Sequence, residues 1–495
     1  MTTEVIIINR MGVVMATDSA VTISTPAGSK VYDSGEKLFE LDCSRPIGIL
    51  INGNMHFLGI PWELIVKDFR DKHRKQEPAA DAGTPEEARA AEAQPSEGAA
   101  AGMAAYYCPA EVVSGLRASP MIIEAFFGFI NSIAALLPAD PVDGDGQGQD
   151  GEQEYVRERA AEEFKDIVSS LAASGEASEK NVADTIVEEA QRRAAEYDEC
   201  PADFSRRISR SDVLERHGSA IDAVIDESFH SLPRGDPFRR ALRQLIVSAL
   251  LSQQTSRLAT GLAVAGYGKR HGPASAANGK NDMFPSLVVG EVDGAVCGQL
   301  RFFMTDSYQV DASNHGTIVS FAQIDVVERL LTGVDRPFID RTEAFIEEHF
   351  AKIGAQLTAA LDKERERLAP ILEQHGTELR PIGSLPQRFA SETVKEWRES
   401  ASAIRSNFRS KFHGMIGVMP KREMIELAEA LVNITAIERK ASPDQSTVGG
   451  PIDVALITKH EEFLWIKRKF FFEARYNPRY YARRFGLSPQ FGDEQ

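Results

Sequence analysis

The chain has few cysteines and fewer basic than acidic residues. Its 495 residues include four cysteines, Cys43, Cys108, Cys200 and Cys297. These lie far apart and form no Cys-x-x-Cys pair, so neither a zinc site nor a disulfide framework is indicated. Such cysteine usage fits a reducing cytoplasm. No apolar run is long enough to span a bilayer, and no leading segment has the charged-then-apolar order of a secretory signal. The expected location is therefore cytoplasmic, with no membrane partner. Lys and Arg number 56 against 73 Asp and Glu, a net charge of −17. That balance disfavours a general nucleic-acid surface. The metalloprotease, nucleophile-elbow and P-loop motifs are missing, and no metal or organic cofactor is implied. Gly266-Tyr267-Gly268-Lys269 is only superficially like a phosphate loop and reads as a strand end with its turn.

What is present begins as β structure. Val5-Ile6-Ile7-Ile8 is a β-branched run, Asn9–Gly12 a turn, and Val13–Thr17 the returning strand of a hairpin. Lys37–Leu41 alternates like a half-buried strand, and Ile47–Ile51 is an apolar run closed by Asn52-Gly53-Asn54. A helix is expected to open near Pro61, with Trp62, Ile65, Val66 and Phe69 on one face. Residues 76–255 read as a large, mainly helical insertion. Its segments 76–105 and 138–153 have too little apolar content to offset chain entropy. Strands return at Thr260–Tyr267, Ser286–Val292 and Gln299–Met304, with Asp293-Gly294 as a turn. Helices dominate from Phe321 to Glu438, with long amphipathic ones over about 338–420. Strands Ile452–Thr458 and Phe463–Lys467 follow. Residues 471–495 form a basic, aromatic tail, expected to pack its rings on its own domain. Segregated runs of strands and helices favour an α+β fold with largely antiparallel sheets.

Several of these segments together resemble the start of a proteasome β-type subunit, a member of the N-terminal nucleophile hydrolases. They are Thr2-Thr3-Glu4-Val5, Gly12-Val13-Val14-Met15-Ala16-Thr17-Asp18-Ser19, Glu36-Lys37-Leu38-Phe39 and Ile49-Leu50-Ile51-Asn52-Gly53-Asn54. The similarity resumes at Leu262–Tyr267, Pro285–Leu287 and Glu291–Gly294, and at Val448-Gly449-Gly450 before a late strand. The resemblance implies a four-layer αββα sandwich of two antiparallel sheets between helices, split into 1–75 and 256–470 by the insertion.

The resemblance also implies a mechanism. Thr2 stands directly behind Met1, and loss of Met1 would leave a threonine whose own amine can act as base toward its hydroxyl. Lys37 would lower the pKa of that amine through its charge, and Asp18 would hold Lys37 protonated. The backbone N–H of Gly53 would face the developing oxyanion. Lys37 arrives slightly late for the family, so the Thr25–Gly35 loop would have to absorb a short insertion. Supporting residues are expected from Ser19, Asp444, Ser446 and Gly449, with Thr447 nearby and Val448 where the family has a serine. Ala20 replaces a common arginine. Ser313, Gly316 and Ser320 are candidates for a serine–glycine motif before the third helix. The expected activity is hydrolysis of amide bonds in a peptide or protein through an acyl-enzyme on Thr2. Homo-oligomers and an ATP-dependent unfoldase are conceivable partners. The alternatives are a small-molecule amidase of the same fold and a non-catalytic, proteasome-like scaffold.

Overall fold

The computed structural model describes residues 3–25, 28–42, 45–76, 116–137, 147–174, 182–232, 235–267, 284–322, 324–334, 336–373, 385–441, 449–470, 472 and 476–477. These residues adopt an α+β fold with ten α-helices and antiparallel sheets. No helix among them is long and apolar enough to cross a membrane.

Strands β1 (Thr3–Asn9) and β2 (Gly12–Thr17) form the expected hairpin, with Asn9 opposite Gly12. A two-stranded hairpin, β3 (Val21–Thr25) and β4 (Gly28–Tyr32), occupies the loop predicted to absorb an insertion before Lys37. Then come β5 (Leu38–Asp42), β6 (Ile47–Gly53), the short pair β7 (His56–Phe57) and β8 (Ile60–Pro61), and helix α1 (Trp62–Gln76). Helices α2 (Pro120–Ala134), α3 (Gln147–Ser174), α4 (Val182–Asp198), α5 (Arg210–Ser228) and α6 (Asp236–Leu251) follow. Strands β9 (Thr260–Gly266), β10 (Ser286–Val296), β11 (Gln299–Gln309) and β12 (Gly316–Ala322) precede α7 (Ile324–Thr332), α8 (Arg336–Glu373), α9 (Leu385–Ile416) and α10 (Lys421–Ala441). The described order closes with β13 (Asp453–Thr458) and β14 (Glu462–Lys467).

Two five-stranded sheets result, in the orders β12-β1-β2-β13-β14 and β11-β10-β9-β6-β5. Strand alternation assigns their faces. Ile6, Ile8, Val13 and Met15 of the first sheet share one core with Leu38, Leu50, Ala263 and Ala265 of the second. The opposite residues of the first sheet, Val5, Ile7, Val14 and Ala16, pack on α7, α9 and α10 through Val327, Ile416, Met424 and Leu431. Ile47, Ile49, Ile51, Leu262 and Val264 of the second sheet pack on α1 and α2, including all four predicted face residues of α1. Burial on both faces explains why these strands are continuous apolar runs.

Four elements differ from the sequence reading. Residues 147–153, in a segment expected to be too polar and Gly-rich to fold, open helix α3, with Glu152 buried. Helix α2 fell inside the predicted insertion, yet Phe126, Phe129 and Ile130 bury themselves on the second sheet. The independent helical core begins at α3 and is built by α3 to α6 with Val296 of β10. Asp293-Gly294 is not the hairpin turn. β10 continues to Val296, with Gly294 at φ +76 where the register shifts. The turn is Cys297-Gly298, both at positive φ, as a two-residue hairpin loop requires. Residues 316–322, expected to lead into helix, form β12 against β1.

Asp293 is buried because it pairs with Arg301 across this bulge. Arg301 is fully buried, 3.2 Å from Asp293 Oδ2, and also donates to the carbonyls of Leu250, Ser252 and Gln254 at and just beyond the end of α6. The pair thus fastens the helical unit to β10 and β11. Removing one member of a buried pair strands the other charge. Asp293→Ala is expected to cost about 3–5 kcal/mol, read as a lowered denaturation midpoint with unchanged spectra of the native state. Loss of less than about 1 kcal/mol, as for an ordinary surface pair, would show that the fastening does not depend on it.

Candidate active site

Four chain segments converge where the two sheets meet at the head of β1. β1 and β2 are antiparallel neighbours, so the end of β2 lies beside the start of β1. Asp18, the residue after β2, is fully buried. Its Oδ1 accepts hydrogen bonds from the backbone N–H of Thr3 at 3.1 Å and from Lys37 Nζ at 3.0 Å. Its Oδ2 accepts from the N–H of Gly449 at 3.0 Å. Lys37, just ahead of β5 in the other sheet, is fully buried and also donates to the Ala20 carbonyl. The Asp18–Lys37 bond therefore spans the two sheets. Gly449 completes the turn around Asp18, since its carbonyl accepts from the N–H of Ser19 at 3.2 Å.

Of the predicted residues, Asp18, Lys37, Ser19 and Gly449 are brought together. Gly53 closes β6 at φ +83, and a Cβ there would lie 2.4 Å from the Ala259 carbonyl oxygen, so the position requires glycine. Thr2, Asp444, Ser446, Thr447 and Val448 lie outside the described residues. Ser313 sits in a loop, bonded to Asp311. Ser320 and Gly316 are β12 residues paired with Val5 and Asn9 of β1. They lie within or at the far end of the ladder, away from Thr3, whose partner is Ala322.

Two neighbours escaped sequence reasoning. Lys469 Nζ donates to Ser19 Oγ at 2.7 Å, Gly35 O at 2.6 Å and Asp453 Oδ2 at 2.6 Å, bracing the turn that carries Asp18. No local signal marks it, since it stands 450 positions from Ser19. Glu4 is fully buried on β1, and its Oε2 accepts from Asn52 Nδ2 at 3.2 Å. Here a signal existed: an acid at the head of a run of aliphatic residues, in phase with inward-facing Ile6 and Ile8.

The electrostatics follow from burial. Desolvation pushes the Lys37 ammonium below its ordinary range, against the opposing pull of Asp18 and Glu4. Desolvation raises the Glu4 carboxyl to about 8, although Lys37 and the Asn52 amide act the other way. At neutral pH the Glu4 carboxyl therefore keeps its proton. Among the described residues, no group of His, Cys, Asp and Glu is arranged to hold a metal ion. No family model, curated protein or solved structure matches the chain.

The raised Glu4 carboxyl has a consequence for stability. Unfolded, it loses its proton near the ordinary carboxyl value of 4.5, whereas folded it keeps it to about 8. Between those values the folded state binds the extra proton, so stability falls as pH rises through that window. Glu4→Gln should flatten this component. Denaturation midpoints of the two proteins at either end of the window check it, and equal slopes would count against it.

Proposed function

We propose that the chain is an N-terminal threonine hydrolase of the proteasome-like class, which cleaves amide bonds through an acyl-enzyme on Thr2 once Met1 is removed. The carrying observation is the fully buried Lys37–Asp18 ion pair at the head of β1, with Asp18 bonded to the backbone of Thr3 and Gly449. A dry ion pair contributes little net stability, because desolvation offsets most of the attraction. Its place next to residue 3 fits a role in tuning an amine on residue 2. The two facing sheets with helices packed on each outer side support the four-layer sandwich of that class.

In this reading the Thr2 amine takes the hydroxyl proton as the oxygen attacks the carbonyl carbon. The ammonium of Lys37 keeps the amine free by disfavouring a second positive charge. Asp18 keeps Lys37 charged in spite of burial. The Gly53 N–H stabilises the oxyanion, a contribution of about 10²–10³ in rate for one such donor. The amine then returns the proton to the leaving nitrogen, and water releases the acyl group. A peptide or protein is the proposed substrate.

A second reading, a scaffold that binds partners through its helices, is favoured by exposed Phe338, Phe345, Phe389, Ile404 and Phe408 on α8 and α9. Intact mass separates the two. The hydrolase requires loss of Met1 and covalent labelling of Thr2 by an epoxyketone or β-lactone. Thr2→Ala should abolish peptidase activity, and Lys37→Met or Asp18→Asn should lower it at least about 10²-fold, as expected for loss of base activation. Retained Met1, or full activity in Thr2→Ala, overturns the reading.

A further inference from the structure

Glu4 has no structural reason to be an acid. It continues the row of Ile6 and Ile8 that fills the space between the two sheets, and its own side chain is fully buried. No lysine or arginine forms an ion pair with it among the described residues, and its Oε1 has no hydrogen-bond partner there. An aliphatic residue would complete the row without that penalty, since an unpartnered buried polar group is costly.

The surroundings are shaped to receive this carboxyl. Asn52, which donates to Glu4 Oε2, lies directly opposite Gly261 in the β6–β9 ladder. A Cβ at Gly261 would come within 2.5 Å of Asn52 Oδ1, so the missing side chain there makes room for the amide. The Glu4–Asn52 bond thus links the strand that follows Thr2 to the residue before Gly53. The charged groups that act on this region are Asp18 and Lys37, with Lys469 acting on Lys37. Thr17 and Phe321, across the ladder on either side, carry no charge.

We propose that Glu4 is a positioning residue of the hydrolase centre: it ties the nucleophile strand to the oxyanion strand through Asn52, and its protonation state sets how readily the Thr2 amine is free. The inference rests on the Thr2 reading. When Glu4 releases its proton to solvent, its negative charge favours the protonated forms of both Lys37 and the amine, and less free base remains. When it holds the proton, Lys37 alone sets the amine. Burial, which raises the carboxyl, keeps the second state dominant at neutral pH.

The test is the pH dependence of Thr2 labelling by an epoxyketone, followed by mass spectrometry in the full-length protein and in Glu4→Gln and Asn52→Ala. Coupled groups shift one another's apparent midpoints. Glu4→Gln should therefore move the ascending limb to lower pH by about half a unit. Asn52→Ala removes the donor that favours ionised Glu4, so it should move the limb the same way by less. It also serves as the deciding variant should Glu4→Gln fail to fold. A limb at the wild-type midpoint in both variants overturns the role of Glu4 and leaves the hydrolase intact. No labelling of Thr2 in the wild-type protein at any pH overturns the hydrolase and this role with it.

Discussion

A single buried ion pair organises the region where the sheets meet. Lys37 belongs to one sheet and Asp18 to the other, and neither touches water. Charges in such a place are tolerable only with every lone pair and proton occupied. Asp18 meets that demand with Thr3, Lys37 and Gly449, and Lys37 adds the Ala20 carbonyl. Each partner comes from a different segment, so the start of β1, the turn after β2, the approach to β5 and the turn before β13 must all be in register. The ladders on either side, all antiparallel, are what hold those four segments at one end of the molecule.

The helical unit is attached by a comparable device at the opposite edge. Glu152 of α3 is buried beside His217 and accepts from the N–H groups of Cys297 and Gly298 in the β10–β11 turn. Arg301 reaches back to the carbonyls that end α6. Val296 enters the helical core from β10. A body with its own hydrophobic core is thus joined to the sheets by a few polar bonds and by apolar contacts such as Val296 and the Phe204–Phe303 ring pair.

Much of this was legible in the sequence, for identifiable reasons. The buried strands are near-continuous apolar runs, and α1 shows its face at helical spacing in Trp62, Ile65, Val66 and Phe69, so their type and sides could be read. Asp18, Lys37 and Gly449 were recognisable because short motifs bracket them. The β10–β11 hairpin was misread because Asp293-Gly294 carries turn chemistry, yet tertiary pairing with Arg301 holds Asp293 inside a bulged strand. β12 was missed because its pairing with β1 is a long-range choice that local preference does not record. Lys469 was invisible for the same reason. Glu4 was visible but unread: an acid in a row of isoleucines is a conflict between local rule and fold, and such conflicts concentrate at functional positions.

The bond from the Gly449 N–H to Asp18 joins residues 431 positions apart. A ribosome adding roughly 5–20 residues per second takes on the order of twenty seconds to more than a minute to travel that distance. Through that interval a growing chain has made Asp18 and Lys37 but lacks the turn that completes their cage. Contacts of such separation also form late when a whole chain folds, because loop closure must precede them. The cage around Asp18 is therefore closed only after the turn at Gly449 has been made and has docked, so the order of synthesis sets when this buried centre can first be complete.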